Sequence, residues 1–150
     1  MIATAARLEH FDIGRPQSPQ DLALHRFMSG VARDNDVDAV LDFTIALEAL
    51  LLPYDPDTRR GDLSYRFRMH GAHHLDEDAA DRRVLFRRLR DIYDMRSRLV
   101  HGGKYPEKGE IRMIRENAHD LARRGLLRAV RGSFPDAETF NRMVLGSSNS

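Results

Sequence analysis

Val37-Asp38-Ala39-Val40-Leu41-Asp42-Phe43-Thr44-Ile45-Ala46-Leu47-Glu48-Ala49-Leu50-Leu51-Leu52, stopped by Pro53, is apolar nearly all the way round a helix of 3.6 residues per turn. A helix with so little polar surface belongs in the middle of a helical core. It is not a membrane span: the strongly apolar part, Phe43 to Leu52, is ten residues long and carries Glu48, against the roughly 20 apolar residues that a bilayer requires. The reading of this stretch decides the fold class, because a central helix needs other helices to cover it.

Those helices are legible on both sides. Upstream, Ser18-Pro19-Gln20-Asp21 places an N-cap serine, a proline at the first helical position and an acid in the first turn. Leu24, Phe27, Met28 and Val31 give that helix its apolar face, and Asp34-Asn35-Asp36 turns the chain into the central helix. Downstream, Pro53 to Asp57 is a loop, and Asp62 is placed to cap a helix from Leu63 to Leu75. Leu63, Tyr65, Phe67 and Met69 also alternate like a strand, but the pattern continues to Leu75 and favours helix. The acidic turn Asp76-Glu77-Asp78 opens a long helix to about Val100, ended by His101-Gly102-Gly103. Lys104 to Gly109 is a loop. Ile111, Ile114, Ala118, Leu121, Gly125 and Ala129 recur at three- and four-residue spacing and predict a helix to about Arg131, with Gly125 permitting close approach to a neighbour. A short helix, Asp136 to Leu145, follows Pro135. The expectation is an all-α bundle of five to six helices over residues 18–145, with an extension or linker at 1–17 and a flexible tail at 146–150.

Composition agrees. The chain has 150 residues, enough for one domain with a hydrophobic core, and 41% hydrophobic against 31% charged residues is the balance of a folding chain rather than a disordered one. Cysteine is absent, which excludes disulfides, thiolate metal sites and a cysteine nucleophile. Met1 to Glu9 includes Arg7 and Glu9 and lacks the apolar core of a secretory signal, so a cytoplasmic location without membrane attachment is expected. The net charge of +1 is unevenly distributed: residues 1–81 carry −7, residues 82–131 carry +9 and residues 132–150 carry −1. A basic central segment attracts polyanions, because clustered arginines neutralise phosphates and release counterions; the plain alternative is a solvated, arginine-rich surface.

Two side chains break the apolar pattern. Glu48 is the only charge between Phe43 and Leu52, so it either reaches water at the helix edge or orients an arginine from another helix. On the long helix, Leu85, Leu89, Ile92 and Leu99 form one stripe, and Arg96 falls on it. Arg96 therefore pairs with a buried acid such as Glu48, or its face borders a cleft or a second subunit. Arg87, Asp91, Asp94 and Arg98 form a separate, charged stripe, and Arg98 reads as solvated surface. His101 stands at the end of the helix, where it either caps the last carbonyls, packs into the core, or takes and gives a proton. Five residues turn a straight helix by about 140° net, so Arg96 and His101 do not share a face. For both to meet one substrate, the last turn must unwind at Gly102-Gly103 or the site must be assembled from two subunits. His70, His73 and His74 compete for attention, since histidines at i, i+3 and i+4 share a helix face and suit a divalent metal; a merely polar face is the bland reading.

The stretch Tyr93-Asp94-Met95-Arg96-Ser97-Arg98-Leu99-Val100-His101-Gly102 resembles the R-x4-H signature of HEPN domains. With Ala46-Leu47-Glu48-Ala49-Leu50 and Leu63-Ser64-Tyr65-Arg66 it resembles their Apea-like branch, over roughly residues 20–145. Many HEPN domains place Asn after the arginine; Ser97 in that place is usual in the Apea-like branch. The resemblance implies a four-helix core that pairs as a homodimer and acts as a metal-independent endoribonuclease with no cofactor, in a bacterial stress, toxin or anti-phage setting. It assigns catalysis to Arg96 and His101, with Glu48, Ser97 and Tyr93 in support, and leaves Arg98 and Lys104 to attract RNA phosphates. RNA supplies its own nucleophile, the 2′-hydroxyl, so a histidine that moves a proton and a guanidinium on the phosphate suffice for cleavage. A catalytically silent HEPN module that binds RNA or dimerises is the alternative, and a helical metal-binding domain is a third reading that requires His70, His73 and His74 to converge.

Overall fold

A computed structural model describes residues 15–56, 62–132 and 135–145. Six α-helices and no strand are found among them: α1 (Pro19–Ala32), α2 (Asp36–Leu51), α3 (Leu63–His74), α4 (Arg82–His101), α5 (Lys108–Arg131) and α6 (Ala137–Leu145), with a 3-10 turn at Ala79–Asp81 leading into α4. The protein is an all-α bundle. The expected extension lies outside the described residues over 1–14, and so does the expected tail at 146–150.

The helix ends follow local chemistry. Ser18 Oγ accepts from the Asp21 N–H at 3.1 Å with Pro19 at the first helical position, and Asn35 Oδ1 accepts from the Val37 N–H at 2.8 Å to open α2. Two starts differ from expectation. Asp62 makes no side-chain cap on α3, because its backbone sits in the left-handed region at φ 91°, whereas a capping residue is typically extended. The acidic turn after α3 does not lead straight into α4: Asp78 caps the 3-10 turn through Ala80 N–H at 3.3 Å, and α4 begins only at Arg82.

The central helix is α2. Val40, Phe43, Leu47, Leu50 and Leu51 are fully buried, and α2 packs most extensively against α1 and α5 while also touching α3 and α4. Burying each such side chain contributes about 1.5–3 kcal/mol, so this helix anchors the bundle. Opposite it lie Leu85, Leu89 and Ile92 of α4 and Ile111, Ile114 and Leu121 of α5. Gly125 lets α5 approach α2: a Cβ there would stand 2.8 Å from Leu50 Cδ1. Two buried polar side chains find their partners in the same elements. Thr44 Oγ1 donates to Val40 O at 2.7 Å, and buried Asp42 accepts from Arg26 Nη1 at 3.1 Å and Arg33 Nε at 2.9 Å, tying α2 to α1. α3 packs antiparallel on α4, with Phe67 against Tyr93, Gly71 closely approached by Leu89, and the long Arg68 side chain reaching over the Phe86 ring. α6 docks on α3 through Phe140, which is fully buried.

Candidate active site at the end of α4

Arg96 leaves α4 toward α2, where its Nε stands 2.9 Å from Glu48 Oε1 and its Nη2 3.5 Å from Glu48 Oε2. The two expectations for the pattern-breaking charges thus resolve into one: each is the other's partner. Both side chains keep some contact with water, Arg96 at 29% and Glu48 at 21% exposure, so the pair sits at the margin of the core rather than within it. Burial pushes the Glu48 carboxyl up from its ordinary range, and the Arg96 guanidinium opposes that shift. Fully buried positions on α4 fall instead at Leu85, Leu89, Ile92 and Met95, with Leu99 half-buried. At 3.6 residues per turn the stripe reaches midway between 95 and 96, so Met95 takes the core side and Arg96 the edge.

α4 runs unbroken through His101. Gly102 adopts φ 75°, and both its N–H and that of Gly103 donate to Arg98 O, the latter at 3.0 Å. This left-handed cap stops the helix without unwinding its last turn. The unwinding that would bring Arg96 and His101 to one face is therefore absent from this chain's fold. His101 is exposed and has no hydrogen-bond partner among the described residues, so its imidazole is free to meet solvent or a ligand.

Arg98 departs from the solvated-surface expectation. Its Nη1 donates to Glu110 Oε1 at 2.5 Å, while Nε and Nη2 reach Lys104 O at 3.3 and 3.0 Å. The charged stripe is solvated only until the connection to α5 folds back over its last member. Arg98 thereby fastens the α4–α5 corner beside His101, and its guanidinium holds the Glu110 carboxyl below the usual carboxylate range. The Lys104 side chain is exposed, Ser97 is half-buried, and the half-buried Tyr93 ring lies 5.4 Å from that of Phe67, where it helps seat α3 on α4.

His70, His73 and His74 do not converge on a metal. The buried His70 has its Nδ1 2.6 Å from Leu51 O and its ring stacked at 4.3 Å on Phe140, and His74 meets the same phenylalanine edge-on at 5.7 Å. Burial lowers the affinity of His70 for a proton and brings His74 down to about 4, with Arg128 adding to the latter shift. Among the described residues no group of three His, Asp or Glu side chains is placed to hold a metal ion. Nor is any helix there long and apolar enough to cross a membrane.

Sequence reasoning missed two linking arginines. Arg88 donates from Nε to Asn117 Oδ1 and from Nη2 to Asp120 Oδ2, each at 2.9 Å, joining α4 to α5. Arg115 reaches back to Asp36 Oδ1 at 2.7 Å and Arg33 O at 2.9 Å. The signal for Arg88 was present, since it adjoins Leu89 on the core-facing side of α4; nothing local announces the partner of Arg115. In comparisons with known proteins, no family model, no curated protein and no solved structure matches this chain.

Proposed function

We propose that the chain is a metal-independent endoribonuclease of HEPN type whose site combines Arg96 with His101. The observation that carries this reading is the Glu48–Arg96 pair: two charges drawn from different helices to the core margin, with the guanidinium oriented through Nε and Nη2. Nη1 remains for a substrate phosphate, and a carboxylate that fixes a guanidinium before substrate arrives lowers the ordering cost of phosphate binding. In cleavage, the RNA 2′-oxygen forms a bond to phosphorus and loses its proton as the bond from phosphorus to the 5′-oxygen breaks. The products are a 2′,3′-cyclic phosphate and a 5′-hydroxyl. His101 takes or gives the proton, and Arg96 stabilises the charge on the phosphoryl oxygens.

Arg96 and His101 diverge on a continuous helix. The site is accordingly shared, with Arg96 from one protomer and His101 from its partner in a cytoplasmic homodimer. Lys104, exposed near the same corner, and the surplus positive charge of residues 82–131 draw in the RNA backbone. A second reading, a catalytically silent module that binds RNA or dimerises, is favoured by the fact that Glu48 already occupies two of the donors of Arg96.

One experiment separates them. RNA cleavage is measured in EDTA for the parent chain, for Arg96→Ala and His101→Ala alone, and for an equimolar mixture refolded together. Each variant alone is expected to lose cleavage by about 10²-fold or more. In the mixture, random pairing restores one intact site in each mixed dimer, roughly a quarter of the parent activity. No cleavage by the parent favours the silent module, activity that requires a divalent metal removes the mechanism, and a mixture as inactive as its components removes the shared site.

A further inference from the structure

At the other end of the bundle, about 30 Å along α4 from His101, the last turns of α5 and the junction between α3 and α4 border an open basin of about 690 Å³. Its walls carry Arg123, Arg124, Arg128 and Arg131, with His74 and Glu77 facing them. Arg124, Arg128 and Arg131 recur at i, i+4 and i+7 and so share one face of α5.

These charges are poorly balanced. Arg123 and Arg124 share Asp120, at 3.6 and 3.2 Å, but that carboxylate already accepts from Arg88 at 2.9 Å. Arg128 donates to a neutral carbonyl, Asp76 O, at 2.6 Å, and Arg131 has no partner among the described residues. A helix C-terminus offers only about half a negative charge. If that half charge, Glu77 and the whole of Asp120 are assigned to the four guanidiniums, about one and a half positive charges remain. Arg128 also faces His74, where it adds to burial in disfavouring the proton while Asp76 opposes it.

We infer that this basin is a binding site for adjacent phosphates, those of a nucleoside polyphosphate or of a nucleic-acid strand. Its volume lies within the 300–1,000 Å³ range of ligand sites, but cations line it where such sites are mostly apolar. Among the described residues that line it the polar groups are chiefly guanidiniums, so recognition rests on phosphate oxygens accepting from guanidinium forks. The inference is independent of cleavage at Arg96 and His101.

Calorimetric titration of the full chain with inorganic tripolyphosphate tests it. Saturable binding is expected, weakened at least tenfold in the double variant Arg123→Gln/Arg131→Gln. Both side chains are exposed, so helicity by circular dichroism should be unchanged. The charge-matched control Arg83→Gln/Arg87→Gln, exposed and outside the basin, should bind as the parent does. Failure to saturate, or equal weakening in the control, overturns the site. Displacement of tripolyphosphate by ADP assigns a nucleotide ligand and displacement by single-stranded RNA assigns the backbone; displacement by neither overturns the inference.

Discussion

Glu48 shows how one residue serves position and stability in opposite ways. Its burial raises the carboxyl pKa even with Arg96 alongside, so the folded state holds the proton more tightly than the unfolded state does. The contribution of the group to stability is therefore fully present at acid pH and is lost as pH rises through the raised pKa. In its ionised form the carboxylate is a burden that the fold carries to orient Arg96. Glu48→Gln, which keeps the shape and removes the charge, is expected to unfold in urea at a concentration equal to or above that of the parent at pH 7, while weakening any function that depends on Arg96. A midpoint far below that of the parent would mean that the ion pair is a net stabiliser. The partial exposure of both side chains supports the first outcome, because Arg96 left unpaired still reaches water.

Among the elements, the α4–α5 corner is the most tightly specified. Gly102 at φ 75° turns the chain, and Arg98 gathers Gly102, Gly103 and Lys104 around itself through backbone and side-chain bonds. Space is not the constraint, since a Cβ on Gly102 would meet nothing within 4 Å. The left-handed backbone is, at about 1–2 kcal/mol for a residue bearing a Cβ. Gly102→Ala should therefore lower unfolding free energy by about 1 kcal/mol in urea titration and fray the turn that carries His101. The stop at His101-Gly102 was readable from sequence because glycine after a helix has a local cause. Ser18-Pro19 and Pro53 were readable for the same reason. The Asp62 cap was misjudged because residue type does not reveal φ, and Arg98 was judged solvated because its partners come from a loop that folds back over it. The Glu48–Arg96 partnership was inferable, as each charge interrupts an apolar face. The His70–Phe140–His74 stack was not: three histidines at helical spacing look alike whether a metal or an aromatic ring 66 residues further on fills the gap between them.

For the molecule as a whole, that stack sets a response to acid. His70 and His74 protonate only below their ordinary range, His74 at about 4: burial is the main cause for both, Arg66 and His73 add to it at His70, and at His74 Arg128 adds to it while Asp76 opposes it. The unfolded chain binds these protons first, so the histidines' contribution to stability is complete above about pH 6.5 and declines as pH falls toward 4, outweighing the opposite trend of Glu48. His74 alone accounts for about 2 kcal/mol by pH 5, and His70 acts in the same direction. Urea midpoints should fall between pH 7 and pH 5, and His74→Gln should flatten that slope; a parent midpoint constant over this range would contradict the account. Connectivity matters as much as charge. Arg115 closes on Asp36 across 79 residues, and α5 is a main cover for α2. During synthesis at roughly 5–20 residues per second, α1 and α2 therefore wait about 4–16 s for the helix that completes their core. For that interval Phe43, Leu47 and Leu50 lack their final cover, the kind of transiently exposed apolar surface that makes a growing chain prone to aggregate.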